Sequence, residues 1–198
     1  MKKVLISLFM ALFAMVGNAQ EYGFPLNEYG DPVVKGTIKT ESGAGVNSGQ
    51  IKAWVSSGGF SSAILAKEEA KKQLIYNLCK NTKSAYNPFA GQFTENLLFT
   101  LDITFDENDV NYELTNLQIQ EIYAGFGSNV RVTGVAEMIQ NVKTAKQAIA
   151  DAEKTGDKKL IKKAKKENEK LIENNTETLL KAWDELQKLL ERLQGRFK

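Results

Sequence analysis

The stretch Leu97–Leu117, LLFTLDITFDENDVNYELTNL, decides the fold. Leu97, Phe99, Leu101, Ile103 and Phe105 alternate with Leu98, Thr100, Asp102 and Thr104, the period-two pattern of a strand with one buried face. DEND, 106–109, turns the chain, because Asp and Asn side chains bond to nearby backbone. Val110, Tyr112 and Leu114 carry the apolar face back along a second strand. At Leu117 and Ile119 the phase slips by one residue, which predicts a β-bulge or a strand end near Thr115–Asn116. The other face of this hairpin holds Thr100, Asp102, Thr104, Asn111, Glu113 and Thr115. It is either a wet surface or a platform for a ligand.

Upstream, FSSAILAKEEAKKQLIYNLCK supports two readings. Glu, Ala and Lys at 66–73 favour a helix. SSAIL and QLIYNLC instead read as short strands around a charged turn, with Leu74, Tyr76 and Leu78 alternating against Ile75, Asn77 and Cys79. Residues 80–96, with Pro88 and Gly91, read as a loop. VVKGTIKT, 33–40, is a β-branched strand. VNSGQIKAWVSS puts Val46, Gln50, Ile51, Trp54 and Val55 at helical spacing, with Asn47 or Ser48 placed to cap the start. Residues 20–32 hold two of the three prolines and no periodicity, so they form a draped or flexible extension.

Downstream, EIYAGFGSNVRVTG, 121–134, is glycine-rich and reads as irregular. Three helical stripes follow. Val135, Met138, Ile139, Val142, Ala145, Ile149 and Ala152 form the first, and TGD at 155–157 ends it. Leu160, Ile161, Ala164, Leu171 and Ile172 form the second, and ENNT at 173–176 reads as another break, with Asn174 and Glu177 at capping-box spacing. Leu179, Leu180, Trp183, Leu186, Leu189, Leu190, Leu193 and Phe197 form the third. This last helix, 176–194, is wide enough in its apolar face to pack on a sheet, with Trp183 as core.

The chain opens MKKVLISLFMALFAMVGNAQ: two lysines, an apolar run from Val4 to Val16, then small residues. That is the form of a secretory signal peptide over 1–19, cut near Ala19. The run is shorter than the roughly 18–20 residues a membrane span needs. The expectation is a protein released to the periplasm or the cell exterior. Without Lys2 and Lys3, Lys+Arg and Asp+Glu balance at 24 each. The chain has no histidine, which removes Ser-His-Asp triads, Cys-His pairs and His-ligated metals from consideration. Its single cysteine, Cys79, forms no intrachain disulfide and reads as a buried thiol.

At VVKGTIKT, SGQIKAWV and FTLDITFDENDVNYELTNL the sequence resembles an uncharacterised family of exported bacterial domains of unknown function with a TBP-like fold. The likeness spans about 33–119 and the terminal helix near 176–194. It implies an α+β chain of β-α-β-β-β-β-α order, with an antiparallel sheet and helices on one face. It also implies that 61–80 is a hairpin. The helical pair at 135–173 departs from the family pattern and is expected as an added C-terminal helical hairpin. The organisation expected is a signal peptide, an extension at 20–32, a sheet domain at 33–134 and a helical region at 135–198. The resemblance brings no activity and no functional residue.

Several clusters are candidates for chemistry. Asp102, Asp106, Glu107, Asp109 and Glu113 offer carboxylates, two of which at a suitable distance hydrolyse a glycosidic bond. DENDVNYE lacks the glycine and ligand spacing of a calcium loop, and a solvated turn explains it. YAGFGSN lacks a full phosphate-binding pattern, though Tyr123 and Phe126, like Phe89 and Phe93, are candidate aromatic contacts for a sugar or peptide. DKKLIKKAKKENEK is basic, and Glu167, Glu169 and Glu173 balance it as a solvated helix face. DNA binding is disfavoured: it rests on an excess of Lys and Arg, which this chain lacks. The expectation is therefore an exported, non-catalytic protein of the cell envelope that binds an envelope protein or glycan, without metal or cofactor. Asp102, Glu113, Tyr123 and Phe126 are its candidate binding residues. The alternative is a carboxylate-based hydrolase acting on a glycan.

Overall fold

The alternation of Leu97–Leu117 builds two inner strands of a six-stranded antiparallel sheet. The computed structural model describes residues 22–69, 72–88, 91–125 and 129–197. The segment expected to be a signal peptide, with its expected cut near Ala19, lies outside them, as do Phe89 and Phe126. In chain order the elements are β1 (Val34–Lys39), α1 (Ala44–Ser57), β2 (Ser62–Glu69), β3 (Gln73–Asn87), β4 (Gly91–Phe105), β5 (Asp109–Ala124), β6 (Asn129–Gly134), α2 (Val135–Thr155) and α3 (Lys158–Gln194). A 3-10 turn, Gly195–Phe197, follows. The strand order is β1-β5-β4-β3-β2, and β6 also pairs with β5. β5 serves both neighbours because it is long: β1 takes 109–114 and β6 takes 118–123. Residues 61–80 form the hairpin that the resemblance implied, and Asn129–Gly134 adds a strand to the expected order.

One face of the sheet is sealed. Leu74, Tyr76 and Leu78 of β3, the odd residues 97–105 of β4, and Val110, Tyr112 and Leu114 of β5 are buried. Ile51, Trp54 and Val55 of α1 and the stripe from Leu179 to Leu193 of α3 join them in one core, with Val135, Met138, Ile139 and Val142 of α2. Burying each large apolar side chain contributes about 1.5–3 kcal/mol. The predicted phase slip is a bulge. Leu98 pairs with Gln118 but Thr100 pairs with Thr115, so Asn116 and Leu117 together oppose Phe99. Asn116 takes the left-handed conformation, φ 53°, and Leu117 thereby returns to the buried face.

Four expectations about the bounds of elements are corrected. Residues 80–96 are not a loop: β3 and β4 stay paired as far as Asn87 and Gly91, where Gly91 has φ +85° and a Cβ would stand 2.1 Å from the Ala124 carbonyl oxygen. A register shift between Asn81 and Lys83, and polar residues on both faces, hide the alternation there. Residues 121–134 are not irregular, since β5 continues to Ala124 and β6 follows. ENNT does not break the helix. Asn and Thr each cost only about 0.7 kcal/mol or less in a helix interior, and α3 runs unbroken for 37 residues. Finally, α1 starts earlier than expected, with Gly43 at its N-cap. Asn47 lies inside it, buried, donating to the Ser42 carbonyl and accepting from the Thr40 hydroxyl, while Val46 is exposed.

The C-terminal hairpin forms as expected. Gly156, left-handed at φ 69°, closes α2, and the Asp157 carboxylate accepts from the Lys159 and Leu160 amides to start α3. All buried residues of α3 lie from Leu179 onward, so its C-terminal half covers the sheet and its first half pairs with α2 as an arm. The extension is draped rather than loose: Tyr22 and Phe24 are buried, and Phe24 meets Trp183 edge-on at 5.1 Å. Trp183 is half-buried under this strap rather than fully in the core. Among the described residues no helix is long and apolar enough to cross a membrane.

Candidate functional site on the open sheet face

Among the described residues no helix packs on the second face of the sheet, and rows of polar side chains cross it. Period two places them there: where Leu101 and Ile103 face the helices, Thr100, Asp102 and Thr104 face out. In one row the Thr100 hydroxyl donates to Asn77 Oδ1 at 3.1 Å and accepts from Asn116 Nδ2 at 3.2 Å. In the next, Asn81 Nδ2 donates to Asn96 Oδ1 at 3.3 Å, and Asn96 Nδ2 to Gln120 Oε1 at 3.0 Å. On the far strand, Thr37 donates to Asn111 at 2.6 Å. Each row ties neighbouring strands together and fixes the amides in one orientation.

Asp102 and Glu113 lie directly opposite each other across β4 and β5. Gln73 Nε2 donates to both oxygens of Asp102, at 2.8 and 2.9 Å, and Lys35 stands opposite Glu113 on β1. The row therefore alternates amide, carboxylate, carboxylate and ammonium. Cys79, half-buried, sits on this face opposite Leu98 and not in the core, which corrects the sequence reading. Burial still pushes its thiol pKa up.

The remaining candidates do not join this site. Tyr123 is on the helix side at the far end of β5, its ring 4.9 Å from that of Phe93. Burial and then the Glu121 carboxylate raise its phenol pKa, against the pull of Arg131. Phe126 lies outside the described residues.

A residue not singled out in the sequence organises that end. Glu95 is 2% exposed, and its carboxylate accepts from the Thr82 and Thr178 hydroxyls, both at 3.0 Å. Glu121 lies opposite it on β5, and Lys83 pairs with Glu177 of α3 at 3.5 Å. The signal was present: Glu95 shares the phase of Phe93, Leu97 and Phe99, a carboxylate in the apolar register. This group fastens α3 to the sheet. On the open face, fixed donors and acceptors suit binding. Among the described residues no cluster of His, Cys, Asp and Glu could hold a metal ion.

No protein-family model matches the chain, and no curated protein matches it. Two solved structures are similar. A TBP-like protein from Parabacteroides distasonis is 14% identical, with a TM-score of 0.43 over 86% of this chain and 96% of that one. A DUF4468 family protein from Bacteroides ovatus is 10% identical, with a TM-score of 0.36 over 54% of this chain. The chain spans 64% of the length of that second protein. The resemblance read from the sequence thus has its counterpart among solved structures, while the architecture rests on the strand order and register of this chain itself.

Proposed function

We propose that this protein is a non-catalytic binding module, exported to the cell envelope, that holds a glycan or an envelope protein on the open face of its sheet. The observation that carries this reading is the asymmetry of the sheet. Helices seal one face, and the other carries tied amides, hydroxyls and carboxylates around Asn77, Thr100, Asn116, Gln73 and Asp102. Such groups, already oriented, bind a hydroxyl-rich or peptide ligand with little further ordering. The opening 19 residues support export. The test is retention of cell-envelope extract and of a glycan array on immobilised protein, compared with the Thr100→Arg variant. Retention that survives a bulky charge at the centre of the open face would refute the reading.

The opposition of Asp102 and Glu113 favours a second reading, a carboxylate-based hydrolase. Facing side chains on paired strands have Cβ atoms about 4.5–5.5 Å apart, so carboxyls one and two bonds further out have the reach for the separation of about 5–5.5 Å used by retaining glycosidases. Glycan cleavage that disappears in the Asp102→Asn, Glu113→Gln double variant would establish it in place of the binding reading.

A further inference from the structure

A cavity of about 390 Å³ opens where the C-terminal ends of α1 and α3 meet, lined by Trp54, Ser57, Gly58, Arg192, Gly195 and Arg196. The chain has only three arginines among its 26 basic residues, at 131, 192 and 196. Two of the three line this one cavity. Arg192 spends Nε on the Lys188 carbonyl at 3.3 Å, and Arg196 spends Nη2 on the Ser57 hydroxyl at 2.7 Å. A guanidinium has five N–H donors, and neither of these is paired with a carboxylate among the described residues. Trp54, 3% exposed, forms part of the cavity wall and supplies a reporter beside the two arginines.

Capping explains only part of this. Helix C-termini favour cations, and two of them meet here. Each amounts to about half a negative charge, against two full positive charges from the arginines. A lysine meets that need as a point charge, and the chain uses lysine almost everywhere else. A planar fork is the side chain suited to gripping two oxygens of one group.

We propose that this cavity binds a small ligand through a carboxylate or phosphate group, held between Arg192 and Arg196. The site is separate from the open sheet face and independent of the reading given to it. Its volume lies within the range of small-molecule sites, about 300–1,000 Å³, and exceeds what a bare ion fills.

The chain carries two tryptophans, so the ¹⁵N-labelled protein reports on both the site and a control. Acetate, inorganic phosphate and phenyl phosphate are titrated against sodium chloride at matched ionic strength. A saturable shift of the Trp54 indole signal with the Trp183 signal still is expected, and the probe that binds tighter identifies the group. Arg192→Gln and Arg196→Gln should each weaken binding about tenfold or more, as expected for loss of a charge-assisted pair. Arg196→Lys retains the charge without the fork and should bind less tightly than the parent; it serves if a Gln variant loses the folded Trp183 signal. An unmoved Trp54 signal with all three probes, an equal response to chloride, or parent-like binding in both Arg192→Gln and Arg196→Lys overturns the proposal.

Discussion

Gly23 lies against the indole of Trp183, so close that a Cβ at position 23 would stand 2.4 Å from the ring's Cδ1. Its φ of +84° is a second barrier to any side chain. Gly23→Ala should cost about 2–3 kcal/mol, from the left-handed backbone and the clash together. Urea unfolding measures the loss, and Trp183 fluorescence should report a wetter ring as Tyr22 and Phe24 leave. Trp183→Ala, which a fully buried position would place at about 3–5 kcal/mol, should cost about 2 kcal/mol, because the ring is half-buried under that strap.

Glu95 is the polar anchor between β4 and α3, and its two hydroxyl partners separate its roles. Glu95→Gln keeps an acceptor and most of the shape, so a loss of about 1 kcal/mol is expected. Glu95→Leu leaves the Thr178 hydroxyl without its acceptor, whereas the Thr82 hydroxyl keeps the backbone carbonyl of residue 95 at 3.1 Å, and should cost about 1–3 kcal/mol. Combining Glu95→Leu with Thr178→Val should recover part of it. Chemical unfolding of the three variants gives the comparison, and equal losses for Gln and Leu would show that the hydroxyls do not matter.

How much of this was legible? Periodicity gave the Leu97–Leu117 hairpin, and the phase slip at Leu117 located the bulge, because each signal needs only neighbours along the strand. The far halves of β3 and β4 were hidden. There the Asn81–Lys83 shift breaks the alternation, and Glu95 puts a carboxylate in the buried phase. The ENNT segment looked like a helix end because local cap preferences say nothing of a Thr178–Glu95 bond formed 83 residues apart. The alternation puts Asp102 and Glu113 on one polar face, but their direct opposition comes from the strand register. Tyr123 was assigned without knowing that the bulge turns its phase towards the helices. The Arg192–Arg196 cavity was not legible, since Trp54 and Ser57 reach it from a helix more than a hundred residues away.

Asn116 supplies the left-handed residue of the bulge and donates to Thr100. Asn116→Gly should be within about 1 kcal/mol of the parent, trading a hydrogen bond for backbone ease. Asn116→Val forces a β-branched residue to φ 53° and should cost about 2 kcal/mol. Thermal unfolding distinguishes them, and a stable Val variant would mean the register slips without penalty.

Stability should fall on the alkaline side. Burial raises the pKa values of Tyr112, Tyr76 and Cys79 in the folded chain; the Gln194 hydrogen bond offsets part of the rise at Tyr112. The unfolded chain therefore releases these protons first, the folded chain binds more of them, and unfolding becomes easier as pH rises. The stabilisation is complete below the ordinary thiol and phenol values, about 8.5 and 10, and is lost progressively above them. Urea midpoints from neutral to strongly alkaline pH should decline. On the acid side, Asp151 and Glu177 are lowered, chiefly by hydrogen bonds from Lys154 and Lys181, but both are fully exposed and should matter little.

Cys79 offers the most direct test of the open face as the binding surface, since the only thiol in the chain sits there beside Leu98. Its alkylation rate is measured at about pH 9, where thiolate is available, with and without the envelope fraction or glycan that the protein retains. The account predicts that the retained ligand slows the reaction severalfold and that Thr100→Arg abolishes both retention and protection. An unchanged alkylation rate with the ligand fully bound would contradict it.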